Sequence, residues 1–477
     1  MKHTNGEQHP VVLRLQSRPV VITTTVLAMA ITAWLIVFLA IKAWTRRITP
    51  TTVAPCTEPG CQLGSFADFR DATWRPVTYF LSGRDPYDSA AYLAEFPYSQ
   101  DYPTYAPGHL LAWSPVGWLD WDAAVVADCL INIVVITAVG AWAGMTCLRA
   151  WWRPAYGPGP SRSLLTLAAT CGVFILWFSR VVSVAAHWGQ PSVVYTLLAV
   201  PAVLTRNRWV AVIFTALTCM KPQVGVVVVL ILLAQKRWRT AGPGVGLAAV
   251  LSMIAVLILS DGAGGMAGWL QTLRQNIAEA SDRRAREWLG ERVDVVGVLQ
   301  DVGVRVGDME PAAISILGFA LAYAAARWAV RHDLPYTAAV MGFGIGLMCI
   351  YHSSYDAAWL IVPVLLAATE LHRCSRRMFL ATAPALAMLL LAPLASRYHA
   401  VDQVFGTGAS ILLTRALVLV GLVGLAVGLL LTQHTTTPNA PQDATDHESA
   451  VTGASSPPVH RRDQSVMFRA GLRTASD

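Results

Sequence analysis

The chain has 477 residues, of which 55% are hydrophobic and only 14% charged, and its mean hydropathy is +0.48. Soluble domains carry about 25% charged residues, so a single large water-soluble core is excluded. The formal net charge of +7 does not point to nucleic acid, because Lys and Arg stand in short clusters at the ends of apolar runs, where they orient helices across a bilayer.

A helix needs about 20 apolar residues to cross a bilayer, and runs of that kind recur from Pro19 to Thr432. They are continuously apolar rather than alternating, which excludes a membrane β-barrel. The prediction is an all-α polytopic integral membrane protein whose helices satisfy their own backbone groups. In chain order, residues 1–18 form a polar N-terminal segment. The run over about residues 19 to 43 is too long for a signal-peptide core and has no small-residue cleavage site, so it is expected to stay as an anchor. Residues 44–106 form a first outer loop with interfacial helices, rich in Asp, Tyr, Pro and Trp. The short apolar piece from Pro107 to Trp113 that ends it cannot span and is expected to lie at the membrane interface. Cys56 and Cys61 share this loop, and both a local disulfide and two free thiols stay open. The other six cysteines lie in or beside apolar runs, where Cys acts as a small hydrophobe.

Further runs follow near residues 121–147, 163–182, 189–205, 241–260, 312–331, 335–351, 355–371, 378–396 and 410–432, giving a membrane domain over 19–432 with about 10–12 helices. The stretch 209–235 has basic clusters at both ends. Pro222 lacks an N–H and breaks a helix, so the stretch is either two short helices that enter and return with Lys221 at the tip, or one kinked helix that violates the charge rule. A second long outer loop covers 261–311, and residues 433–477, with Thr-Thr-Thr-Pro and Ser-Ser-Pro-Pro, form a cytoplasmic tail expected to be disordered. With the clusters at Arg149, Arg206 and Arg208, Lys236 to Arg239, Arg327 and Arg331, and Arg373 to Arg377 all inside, both termini face the cytoplasm, and the expected location is the plasma membrane.

Ionisable residues at membrane depth are functional candidates. Four groups map to the outer helix ends: Asp68 and Asp71 in Ser65-Phe66-Ala67-Asp68-Phe69-Arg70-Asp71, His187 and Gln190 in His187-Trp188-Gly189-Gln190, Lys221 before Pro222, and His352 and Asp356 in Tyr351-His352-Ser353-Ser354-Tyr355-Asp356. Each has a bland alternative: Asp68, Asp71 or Asp356 as a helix cap, His187 as an interfacial residue, Lys221 as a snorkelling side chain. Their convergence on one face is what argues for one polar pocket.

The stretch Ala67-Asp68-Phe69-Arg70, then Gly83-Arg84-Asp85-Pro86-Tyr87-Asp88, then Tyr102-Pro103-Thr104-Tyr105-Ala106-Pro107-Gly108, resembles the first outer loop of glycosyltransferase family 87. His187-Trp188-Gly189-Gln190, Lys221-Pro222-Gln223 followed by Lys236-Arg237-Trp238-Arg239, and Tyr355-Asp356 resemble three further family motifs in the family's order. The resemblance spans about residues 20 to 430 and is nearest to mycobacterial arabinofuranosyltransferases and polyprenol-dependent mannosyltransferases. It implies a GT-C fold with the active site on the outer face. It also implies transfer of a mannosyl or arabinofuranosyl unit from a polyprenyl-phosphate sugar to a cell-envelope glycolipid or polysaccharide. The interval from Asp68 to Gly83 is about one residue longer than the family pattern, which keeps Asp71 as a second candidate for the acidic residue.

Such a transfer needs a carboxylate to take the acceptor proton and a cation to stabilise the leaving phosphate. Asp68 is the expected base, and Lys221 is favoured over Arg70 and Arg180 as the cation. A single base implies displacement with inversion. Arg70, Tyr87, His187, Gln190, Lys221, His352 and Asp356 are the expected substrate-binding residues. The aromatic residues of the loop serve either sugars or the headgroup belt. No carboxylate cluster has metal spacing, so no metal ligands are assigned and metal dependence stays open; no cofactor is expected, the lipid-phosphate sugar being the donor substrate. The competing class is a transporter or lipid-linked sugar flippase, against which stand the absence of a repeat and the one-sided polar loops.

Overall fold

The computed structural model describes residues 18–51, 64–97, 99, 105–152, 159–287, 293–301, 304, 310–350, 354–395, 404 and 409–434. Among these residues the protein is helical, with one isolated bridge between Arg47 and Ser65 and no strand. The long helices in chain order are α1 (Arg18–Thr45), α2 (Trp121–Trp151), α3 (Arg162–Phe178), α4 (Arg180–Trp188), α5 (Pro191–Leu204), α6 (Arg208–Thr218) and α7 (Pro222–Ala234). They continue as α8 (Trp238–Gly262), α9 (Met266–Glu287), α10 (Glu310–Arg331), α11 (Pro335–Cys349), α12 (Ile361–Cys374), α13 (Arg376–Ala395) and α14 (Ala409–His434).

Seven of the described helices are long and apolar enough to cross a membrane, and eight if α3 and α4, bent by 66° at Ser179, are one span. The protein is thus an all-α polytopic membrane protein. The expected count of 10–12 divides into those spans and four shorter apolar helices, α5, α6, α7 and α11. The short ones can be short because protein surrounds them. Every residue of α5 from Pro191 to Val203 is buried, and α11 is buried over most of its length, so neither has to match the bilayer to shield its backbone. Helix α1 is the opposite case. It shows Val26, Leu27, Trp34 and Ile41 outward, as expected of a face solvated by lipid. Close helix approach rests on small residues, and α2 and α3 meet through Gly140 and Gly144 on one side and Ala168 and Gly172 on the other.

The stretch after α5 forms a hairpin. Arg237, just beyond α7, donates to the carbonyls of Val203 at 2.6 Å and Thr205 at 2.9 Å, so the far end of α7 returns to where α6 began. The turn between them lies at the other end of the bundle, where Met220 accepts from the Ala106 N–H at 2.9 Å. Lys221 is at that turn, with Pro222 in the first turn of α7.

The structure adds detail to two stretches. The piece around Pro107 to Trp113 is packed into the protein. It folds as short helices Gly108–Ala112 and Ser114–Gly117, with His109 and Leu110 fully buried. The Gly108 N–H bonds the Ser252 hydroxyl of α8 at 3.2 Å, and a side chain on Gly108 would collide with Met220 and Ser252, so this piece is a wedge between α8 and the hairpin tip. The stretch 261–311 is not simply a polar loop, since it carries α9 and the short helix Val295–Asp301. Trp269 and Asn276 of α9 are buried and Leu273 between them is partly so, a helical spacing that gives α9 one face to bury. Cys56 and Cys61, His352, most of the N-terminal segment and the tail beyond His434 lie outside the described residues.

Candidate active site

The outer segment begins with a continuous helix in three parts: a first turn Ala67–Phe69, a π-helical stretch Arg70–Trp74 and an α-helical stretch Arg75–Leu81. Phe66 opens it in the left-handed region at φ 66°, uncommon for a bulky residue, and its N–H bonds the His187 carbonyl at 3.2 Å. In the π stretch the Arg75 N–H reaches the Arg70 carbonyl five residues back. Pro76 supplies the local reason, since it has no N–H for the Ala72 carbonyl and its ring crowds that oxygen.

Asp68 and Asp71, three residues apart, have different surroundings. Asp71 is buried and held by the fully buried Arg70 through Nε at 2.7 Å and Nη2 at 3.1 Å. Asp68 is half-buried, and its Oδ2 accepts from Gln190 Nε2 at 2.8 Å. Neither side chain caps this helix, whose cap residue is Phe66. Gln190 is presented by the turn at Gly189, which stands at φ 65°, and where a Cβ would come within 2.5 Å of the Phe69 Cβ. Glycine alone meets both conditions.

Tyr105 joins the remaining groups. Its hydroxyl is 3.5 Å from Gln190 Oε1, its carbonyl accepts from the Tyr87 hydroxyl at 2.6 Å, and its ring stacks on His109 at 4.5 Å between centroids. Its phenol is raised well above the usual range, by burial first and then by Tyr195, Asp356 and Asp68, so both carboxylates act on this one ring. Asp356 lies in the 3₁₀ stretch Ser354–Leu360, and Lys221 Nζ donates to its two oxygens at 2.7 and 2.8 Å. The pair joins the hairpin tip to the segment before α12. Asp85 does not reach this group. Its Oδ1 accepts from the Tyr87 N–H at 2.9 Å, and burial, opposed by that bond and assisted by Asp88, pushes its carboxyl up to about 6.

Gln190, which holds Asp68, and Tyr87 contact Tyr105 directly, the Ala106–Met220 bond brings Lys221 and its partner Asp356 alongside, and Arg70 pairs with Asp71. His187 meets Ser65, whose hydroxyl lies 3.0 Å from Nε2. Sequence reasoning passed over His109, Tyr195 and Trp113. They form a fully hydrogen-bonded chain: Trp113 Nε1 donates to the Tyr195 hydroxyl at 2.9 Å, which is 2.6 Å from His109 Nδ1, and His109 Nε2 is 3.0 Å from the Ala72 carbonyl. A histidine inside an apolar piece too short to span was the available signal. Asp128 and Asn132 on α2 were also missed although their four-residue spacing in an apolar run was visible. Both are buried, and Asn132 Nδ2 donates to Asp128 Oδ2 at 3.0 Å. Among the described residues no three His, Cys, Asp or Glu side chains are grouped for a metal.

The model of glycosyltransferase family 87 matches residues 104–352. The chain belongs to glycosyltransferase family 87. Tyr105, His187, Gln190 and Lys221 fall within the match, Asp356 lies just after its end, and Asp68 lies well before its start. The chain is also 28% identical over 260 residues to a polyprenol-phosphate-mannose-dependent alpha-(1-2)-phosphatidylinositol mannoside mannosyltransferase of Mycobacterium tuberculosis (strain ATCC 25618 / H37Rv), an alignment covering 54% of this chain and 58% of the relative. No solved structure matches it.

Proposed function

We propose that this family 87 protein transfers a mannosyl unit from a polyprenyl-phosphate mannose to a hydroxyl of a cell-envelope glycolipid. Asp68 takes the acceptor proton as the acceptor oxygen attacks the anomeric carbon. The bond from that carbon to the phosphate oxygen breaks with its electron pair going to the phosphate, and the configuration inverts. Gln190 orients the carboxylate through the 2.8 Å bond. Lys221 directs two N–H groups to Asp356, and the third is the one offered to the leaving phosphate, whose charge rises as the bond breaks. Tyr87 and His187 shape the pocket wall, and His352 remains a binding candidate by its motif. The observation that carries this reading is the placement of Asp68 and the Lys221–Asp356 pair around one tyrosine, at the end of the bundle opposite the basic helix ends such as Arg237 and Arg327.

The sidedness follows from charge. The basic clusters favour the cytoplasm, so the Asp68 end faces outward at the plasma membrane and both termini face inward. Mannose is favoured over arabinofuranose by the donor in the mycobacterial relative's name. Membranes containing the protein, given labelled polyprenyl-phosphate mannose and, in parallel, labelled polyprenyl-phosphate arabinofuranose with a mycobacterial glycolipid extract, test the reading. Labelled glycolipid from the first donor alone supports it. Product from the arabinose donor alone overturns the sugar, and no product from either overturns the activity.

A further inference from the structure

The Ala72 carbonyl lies at the centre of the π stretch, opposite the N–H that Pro76 lacks. A carbonyl can only accept, so His109 Nε2, 3.0 Å away, carries the proton. His109 Nδ1 is then the acceptor, and the Tyr195 hydroxyl 2.6 Å away donates to it while receiving the Trp113 N–H. Every polar atom of this chain has a partner, as burial of such groups requires. The same imidazole face supports the Tyr105 ring, 15° from parallel, and the Tyr105 hydroxyl meets the glutamine that holds Asp68.

We propose that His109 is a positioning residue, an imidazole that takes up the Ala72 carbonyl displaced by Pro76, so fixing the π turn and with it the direction in which Asp68 leaves the helix. His109 touches neither sugar nor phosphate. It acts from the far side of Tyr105 through two routes, the backbone of the helix that carries Asp68 and the ring that contacts Gln190. Burial holds its imidazole down to about 3, so it stays neutral at working pH, and the Ala72 carbonyl sets the tautomer. The inference rests on the reading of Asp68 as the base.

The test exploits the two nitrogens. A glutamine side chain carries its amide to the level of Nε2, and an asparagine only to that of Nδ1. His109→Gln therefore keeps a donor for Ala72, and His109→Asn keeps a partner for Tyr195 but loses Ala72. Turnover, KM and thermal midpoint are measured for both in nanodiscs, together with backbone amide exchange over residues 70–77. The expected result is that His109→Asn lowers kcat by about tenfold or more with KM little changed, since displacements near an ångström cost up to about a hundredfold, while His109→Gln stays within about threefold at a similar midpoint. Exchange over 70–77 should be faster in the Asn variant than in the Gln variant. Equal exchange and equal kcat in the two variants overturn the proposal, as does a loss confined to KM. If the wild type transfers no sugar, the catalytic reading falls, and the exchange difference alone decides whether His109 holds the π turn.

Discussion

The two ion pairs of the outer end, Arg70 with Asp71 and Lys221 with Asp356, use the same chemistry in different settings. The first joins neighbours in the chain, with side-chain exposures of 0% and 4%, and it is complete as soon as its helix turn forms. The second joins residues 135 positions apart, with the ammonium 13% exposed and the carboxylate 1%. It exists only once the hairpin tip and the segment before α12 have met. A pair buried within one helix turn serves the fold, whereas a pair at a junction with a partly accessible ammonium can answer an arriving anion. Asp68 is half-buried and accepts from the Gln190 amide, a setting that suits a carboxylate meant to exchange a proton.

The largest expected effect tests the sealed pair. Arg70→Ala leaves Asp71 buried without its guanidinium, a change that costs about 3–5 kcal/mol, so the variant should be recovered at low abundance and aggregate at lower temperature. Normal abundance and midpoint would mean that the pair is dispensable. Next is Gly189→Ala, which forces a side chain into the left-handed region and against Phe69. A loss of about 1–3 kcal/mol is expected, with transfer falling because Gln190 moves from Asp68. An unchanged variant would separate the Gly189 turn from the site. Lys221→Met leaves Asp356, 1% exposed, without its ammonium, so it should lower midpoint and also turnover per folded molecule, whereas Arg70→Ala should lower midpoint alone. Unchanged turnover per folded molecule in Lys221→Met would erase the distinction drawn between the pairs.

The smallest effect concerns Asp85, a partly buried acid that accepts from a backbone N–H. Its carboxyl is raised from 3.8 to about 6, so the folded protein binds the proton more tightly than the unfolded chain. That contribution is fully present below pH 3.8 and is lost as pH rises through about 6. Asp85→Asn should accordingly gain midpoint relative to the wild type as pH rises from about 4 to about 6. A difference that stays flat over that interval would contradict the burial of this group.

The spans were legible because hydropathy and flanking charge act over whole helices, so α1, α2, α8 and α14 begin and end near their apolar runs. The wedge around His109 was not legible, because a short apolar piece at a lipid interface and one inserted between helices have the same composition. For the stretch 209–235 the sequence left two readings, and the bonds from Arg237 to Val203 and Thr205 favour the hairpin. The π stretch Arg70–Trp74 separates the surroundings of Asp68 from those of Asp71. It starts after Asp68, which stands at Gln190, and contains Asp71, which pairs with Arg70. No periodicity in a single sequence reveals such a turn.

The central claim is that Asp68, and not Asp71, activates the acceptor. It is tested most directly by measuring mannosyl transfer per folded molecule for Asp68→Asn and Asp71→Asn side by side, with abundance and thermal midpoint recorded for each. The account predicts that Asp68→Asn keeps its midpoint and loses turnover by roughly a hundredfold or more, the usual share of a general base. It predicts that Asp71→Asn loses midpoint while its surviving folded fraction still transfers. Near-normal transfer by Asp68→Asn at normal abundance would contradict the account and make Asp356 the next carboxylate to test.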